Sequence, residues 1–330
     1  MYGNSNQINQ SSFRYINPDE GGSPELFYDY FSGKLEVKET EKMITGSMVH
    51  LAILEPEKFI VTEIPAMSET VKAIIEKVFA DAQHPIDWFG QEEPMGILSD
   101  YKYLILQAAQ QLNYGQSWKP ETVYDKLVEA GKDYFEILKK CQDKICLSAK
   151  QKASIDKIVN SISSNKTMRE LLFDDEDRPG VQTFNELPLF FNLNIDGFLM
   201  ECKAKIDRLI IDHEKKTFRI IDLKTTSDSV ELFPALFERR RIYRQLAFYE
   251  QAVRENYPDL KPGIHSIVLG ESSGYNHVRR YDICPQFIEK GRQEYMDICN
   301  RIAWHFLTNN WFISREDYEN DYIRMLELSC

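Results

Sequence analysis

The chain has 330 residues, of which 43% are hydrophobic, enough for one large core or two modest ones. Its 52 acidic and 40 basic residues give a formal charge of −12. This excludes a protein coated over its whole surface by nucleic acid, but not an acidic enzyme whose positive charge is gathered in one groove. No apolar run approaches the roughly 20 residues needed to span a bilayer. The first twenty residues are polar, with neither a basic start nor an apolar stretch. A cytoplasmic protein without membrane contact is expected.

The opening stretch, "YGNSNQINQSSFRYINPDEGGSPELFYDYFSGK", mixes turn formers with aromatics, which predicts short docked segments rather than a free tail. A helix fits "KETEKMITGSMVHLAILEP" and ends at Pro56. From about residue 61 to 180 the pattern is helical. "SETVKAIIEKVFADAQ", "SDYKYLILQAAQQL", "PETVYDKLVEAGKDYFEILKKCQ" and "SAKQKASIDKIVNSISSN" repeat apolar residues at three and four, each after a plausible cap. The acidic turn "FDDEDRPG" closes this region, and the period becomes that of strands in "VQTFNELPLFFNL", "GFLMECKAKIDRLII" and "TFRIIDLKTT". One long helix over "ALFERRRIYRQLAFYEQAVREN" follows, then strands near "IHSIVLG" and "HVRRYDI", then the helix "PQFIEKGRQEYMDICNRIAWHFLTN". Three antiparallel strands, a helix, two strands and a helix predict an α/β core with a mixed sheet. The expected organisation is a single elaborated domain: an N-terminal segment over 1–60, a helical insertion over 61–180 and a core over 181–330.

The strands "KAKIDRLII" and "TFRIIDLKTT" each carry an aspartate inside an apolar run. With "HEKK" as a four-residue loop, Asp212 pairs with Thr217, and the same register sets Asp207 opposite Asp222. Directly opposed side chains lie about 5 Å apart at Cβ, so two unit charges there repel by roughly 3 kcal/mol at an effective dielectric near 20. A shared proton, a cation such as Lys224, or a divalent metal relieves that repulsion. Carboxylate oxygens, a backbone carbonyl and waters suit Mg²⁺ or Mn²⁺. Lys224, on the same face as Asp222 by period two, is placed to hold a water or a phosphate oxygen. That is the chemistry of phosphodiester hydrolysis. A D-x-K tripeptide alone is common on exposed strands; the apolar flanks, the register and the second acid give this one its weight.

These residues resemble the PD-(D/E)XK nuclease superfamily, and within it the RecB-like and RecE-type exonucleases. The resemblance rests on "KIDRL", "IIDLKTT" and "YRQLAFYEQA", with Gln245 and Tyr249 at the QxxxY spacing. "GSMVHLAILEPEKF" is similar to the GxxxH segment of RecE-type proteins, and "SSFRYI…SPELFYDYFSGK" to their opening segment. Ile206 stands where the family name has proline, and the second acid is Asp rather than Glu; both occur in RecB-like members. The resemblance implies a restriction-endonuclease-like core, a mixed central sheet flanked by helices with a large helical insertion. It implies His50, Asp207, Asp222 and the Leu223 carbonyl as metal ligands and Lys224 as the catalytic lysine. Gln245 and Tyr249 would flank the site and help place the strand, and Glu186 of "NELPLF" would match an acid that some relatives carry.

Arg239, Arg240, Arg241 and Arg244 in "ERRRIYRQ" are expected on the helix of Gln245 as a phosphate-holding wall, with Arg279, Arg280 and "NKTMR" as further contacts. A charge run of this kind is more often a solvated face. The resemblance further implies a Mg²⁺- or Mn²⁺-dependent DNA exonuclease acting in phage or bacterial recombination or repair. Its partners would be double-stranded DNA with a free end and a single-strand annealing protein, in a homo-oligomer. Two alternatives are another RecB-like nuclease, of the CRISPR-adaptation or helicase-associated type, and an inactive DNA-binding protein of the same fold. Cys141, Cys146, Cys202, Cys284, Cys299 and Cys330 form no C-x-x-C pair and no Cys/His spacing suited to zinc. Reduced thiols are expected, and no iron–sulfur cluster.

Overall fold

The computed structural model describes residues 7–35, 41–61, 65–82, 95–141, 145–147, 149–173, 178–272 and 275–321. The expected helix start at 38–40, the centre of the acidic turn at 174–177 and Cys330 lie outside the described residues. In chain order the elements are α1 (Pro24–Phe31), α2 (Glu41–Leu54), β1 (Phe59–Val61), α3 (Glu69–Ala82), α4 (Lys102–Gln111), α5 (Pro120–Cys141) and β2 (Ile145–Leu147). Then come α6 (Ala149–Ser164), α7 (Lys166–Leu172), β3 (Val181–Ile195), β4 (Phe198–Asp212), β5 (Thr217–Thr226), α8 (Phe233–Arg239) and α9 (Ile242–Asn256). The last are β6 (Lys261–Pro262), β7 (Ser266–Glu271), β8 (Val278–Asp282), α10 (Pro285–Thr308) and α11 (Arg315–Glu319). No described helix is long and apolar enough to cross a membrane.

The chain divides into two compact units, Pro56–Asp156 and the remainder. In the first, α3, α4 and α5 close on Ile74, Ile75, Ile105, Leu127 and Phe135, all sealed from solvent, as the three-and-four spacing predicts. This unit ends short of the insertion expected over 61–180. The second half of α6 belongs to the larger unit, where Ile158 and Ile162 lie against Gly270 of β7. Cys141 is disulfide-bonded, against the expectation of reduced thiols throughout, while Cys202, Cys284 and Cys299 are free.

The larger unit is built on a six-stranded mixed sheet in the order β3-β4-β5-β7-β8, with β6 also on β5. β3–β4, β4–β5 and β7–β8 pair antiparallel; β5–β7 and β5–β6 pair parallel. The turn between β4 and β5 is the expected four residues. The Asp212 carboxylate accepts from the Lys215 N–H at 2.9 Å, and Lys216 takes the left-handed conformation at φ 52°. That turn fixes Asp212 opposite Thr217 and Arg208 opposite Ile221.

One face of the sheet carries Leu209, Ile211, Phe218, Ile220, Ile267 and Leu269 into a core shared with α9 and α10. Those helices approach closely at Gly291, where a Cβ would stand 2.5 Å from the Tyr243 carbonyl oxygen. Only a residue without a side chain allows that contact.

The long helix expected after β5 is two helices. Arg241 sits between α8 and α9 at φ 50°, where a continuing helix is impossible. Its guanidinium reaches Asp19 at 2.9 Å and Glu294 at 3.0 Å, so contacts remote in sequence hold the break.

Candidate active site

The site lies where β4 and β5 part. β5 pairs with β4 only as far as Ile221, and from Ile221 to Thr226 it pairs with β7 on its other edge. The edge of β4 that β5 leaves is taken by the N-terminal segment: Ile8 N–H bonds to Glu201 O at 2.9 Å, and Lys203 N–H to Ile8 O at 2.8 Å. The first unpaired position beyond the ladder is Asp207 against Asp222. The fork leaves a backbone N–H without a ladder partner, and the Asp207 carboxylate supplies one, with Leu223 N–H donating to Asp207 Oδ2 at 2.8 Å. Within a strand, one residue's N–H and C=O point to the same edge, so the Leu223 carbonyl faces the fork as well.

β3 is distorted opposite this point. Its core-facing residues change from Phe184 to Leu187, Leu189 and Phe191 across Glu186, which has φ 51°. A left-handed backbone at a non-glycine residue costs about 1–2 kcal/mol, and such strain gathers at functional sites. Here it turns Glu186 toward Asp207. His50 comes from α2: its Nδ1 lies 3.6 Å from Asp207 Oδ2 and 3.8 Å from Glu186 Oε1. The three residues place ligand atoms within 4.8 Å of one another. Asn185 fixes the helix that carries His50. Its amide donates to Leu54 O, one turn beyond His50, at 3.1 Å and accepts from Arg208 Nη1 at 2.8 Å.

Asp222 is sealed from solvent. Its Oδ1 accepts from Lys224 Nζ at 2.8 Å and from Gln245 Nε2 at 3.2 Å, and the same amide nitrogen donates to Tyr249 OH at 2.9 Å. Asp222 Oδ2 is buried with no hydrogen-bond partner. A lone pair left so costs about 1–3 kcal/mol, and a cation at that atom would remove the penalty.

Titration follows from this crowding. Burial, reinforced by the charges of Asp222 and Glu186, pushes Asp207 up to about 6 despite His50 and Lys224. Burial alone would lower the His50 pKa, but Asp207 and Glu186 outweigh it and raise it. Burial likewise opposes Glu186, yet hydrogen bonds with His50 and Lys205 hold it below its ordinary value. Lys224 is raised, because Asp222 and Asp207 outweigh its burial.

The structure therefore gathers His50, Glu186, Asp207, Asp222, Leu223, Lys224, Gln245 and Tyr249. It does not gather the arginines. Arg244 is buried, 2.7 Å from Glu20, and Arg241 is paired as above; only Arg239 and Arg240 are exposed, and they lie outside α9. The run is split because the left-handed turn at Arg241 sends the last two guanidinium groups, of Arg241 and Arg244, inward to acids of the N-terminal segment and α10. Arg279 pairs with Glu231, and Arg280 with Asp282 at 2.7 Å. In "NKTMR", Asn165 caps α7, accepting from Met168 N–H at 3.3 Å.

Lys205 was not singled out by sequence, yet it holds Glu186 Oε2. Its signal was present: "KID" mirrors "DLK" across the turn, and the register that opposes Asp207 to Asp222 also opposes Lys205 to Lys224.

The His50, Glu186 and Asp207 cluster, one imidazole and two carboxylates, fits a divalent ion, and the unsatisfied Asp222 oxygen adds a further acceptor nearby. Among solved structures, one described as "Putative exonuclease" from Eubacterium rectale is similar, with a TM-score of 0.49 and 11% identity over 98% of this chain and 91% of that one. The structure of SSO0001 gives a TM-score of 0.26 and 13% identity over 78% and 93%. No curated protein matches the chain in sequence. The family described as the PD-(D/E)XK nuclease superfamily, whose members generally use divalent ions, matches residues 26–303, and the chain belongs to it.

Proposed function

We propose that this protein is a divalent-metal-dependent deoxyribonuclease of the RecE-like kind, which removes nucleotides from an end of double-stranded DNA. The observation that carries the reading is Asp222: a sealed carboxylate with one oxygen on Lys224 and Gln245 and the other buried without a partner, within electrostatic reach of Asp207 and His50, which cluster with Glu186. His50, Glu186, Asp207, Asp222 and the Leu223 carbonyl would hold Mg²⁺ or Mn²⁺. Such an ion polarises a phosphodiester and acidifies water.

The side chains do the rest. Lys224, raised above an already high pKa, stays charged near neutrality; it holds an anionic phosphate oxygen and takes no proton. Gln245 commits its amide to Asp222 and Tyr249 and locks the carboxylate in place, while the outer side of that pair guides the strand. Arg239 and Arg240 remain free to meet the phosphate backbone. The setting we propose is cytoplasmic DNA recombination or repair, with a single-strand annealing protein as partner and a homo-oligomer as the working form.

The test is incubation with end-labelled linear and closed circular duplexes in Mg²⁺, Mn²⁺ or EDTA. Progressive loss of linear DNA only, dependent on metal and lowered about a thousandfold in Lys224→Ala, is expected. Cleavage that ignores this substitution would refute the mechanism, and cutting of circles would make the enzyme an endonuclease.

A further inference from the structure

A cavity of about 270 Å³ opens beside the acids and is lined by Ser47, His50, Leu51, Glu186 and Lys205. Ser47 is one helical turn before His50 on α2 and is exposed. Lys205 reaches in from β4, holding Glu186 Oε2 while Glu186 Oε1 faces His50. The cavity thus joins the site through His50 and Glu186, with a hydroxyl and an ammonium group on its wall. Neither has a part in the chemistry above.

Charge decides what the cavity can hold. Glu186, Asp207 and Asp222 set three carboxylates against Lys205, Lys224 and the His50 imidazole, which leaves no surplus of positive charge for an anion. A divalent ion among the carboxylates supplies that surplus. It also draws on Glu186, and so loosens the hold of that carboxylate on Lys205, whose side chain is 41% exposed and can turn its remaining N–H groups into the cavity.

We propose that Ser47 and Lys205 form a phosphate subsite for the backbone group next to the scissile one, and that it accepts this phosphate only once the divalent ion is in place. The inference rests on the nuclease reading above and makes loading ordered, ion before nucleic acid. Lys205 is a substrate-positioning residue.

The experiment is fluorescence anisotropy of the intact protein with a labelled duplex, in Ca²⁺ and in EDTA over a range of salt. Lys205→Gln should weaken binding about tenfold in Ca²⁺ and lower the salt slope by about one, equally for every sequence. In EDTA it should bind like the wild type. Lys205→Arg should restore affinity, and Ser47→Ala, which leaves Glu186 untouched, should give a smaller loss with the same Ca²⁺ dependence. Equal losses in Ca²⁺ and EDTA would make Lys205 an ordinary surface cation and overturn the proposal, as would affinity unchanged in both variants. Calorimetric titration with Mn²⁺ separates the remaining cases. Weakened Mn²⁺ binding in Lys205→Gln would show that it acts through Glu186 and would also overturn the proposal. Absence of Mn²⁺ binding by the wild type would instead strike the nuclease reading itself.

Discussion

Without metal, Asp207 works against the fold, and Asp207→Asn measures by how much. Its ordinary pKa of 3.8 rises to about 6 in the folded chain, chiefly through burial and then through the charges of Asp222 and Glu186. A raised carboxylate favours the folded state while protonated. That contribution is fully present below 3.8 and is lost as pH rises through about 6. A gap of about two units at 1.36 kcal/mol each amounts to about 3 kcal/mol at pH 8. Asparagine keeps an oxygen for the Leu223 N–H and carries no charge. Asp207→Asn in EDTA at pH 8 should therefore melt roughly 4–6 °C above the wild type, and the advantage should narrow to about half at pH 5. Saturating Mn²⁺ should invert the order, since only the wild type gains from binding. Thermal unfolding at the two pH values, with EDTA or Mn²⁺, provides the data. A variant no more stable than the wild type at pH 8 in EDTA would refute the reasoning.

Two further outcomes are expected. Asn185→Ala frees the end of α2 and should weaken Mn²⁺ binding about tenfold by calorimetry, because Asn185 ties Leu54 O to β3 one turn beyond His50. Glu250 is buried and takes hydrogen bonds from His265, Arg254 and Arg292, each at 2.9 Å; His265 Nδ1 accepts from Ile220 N–H, so the proton sits on Nε2. Glu250→Gln should cost about 3 kcal/mol at neutral pH in urea unfolding. Burial opposes Glu250 ionisation, but His265 and Arg254 hold its pKa below 4.5. Its contribution is present above that value and disappears as pH falls through the folded pKa, so wild type and variant should converge in acid.

Most of the site could be read from local pattern, because a hairpin turn of known length fixes a register and a register fixes which residues meet. Asp207, Asp222 and Lys224 follow from that alone. What escaped depends on segments distant in the chain. The fork of β4 and β5 needs β7 to draw one strand away and Ile8 to cover the other. Arginine is a good helix former, so nothing local in "ERRRIY" announces the break at Arg241; Asp19 and Glu294 make it. The same remote acids turn Arg241 and Arg244 from an outer wall into internal ties. Glu186 was legible only by resemblance, since its left-handed backbone leaves no mark on the alternation of "NELPLF".

The break before α9 also decides where positive potential falls. An α-helix concentrates roughly half a unit of positive charge on its first turn, and Gln245, which touches Asp222, stands in the first turn of α9. Had the helix run on from Phe233, its start would lie nine residues upstream, about 13 Å away along the axis. Asp222 would then face the neutral middle of a helix. As folded, the first turn of α9 meets the most deeply buried acid in the sheet through the Gln245 amide, and its positive end adds to the Lys224 ammonium group already there.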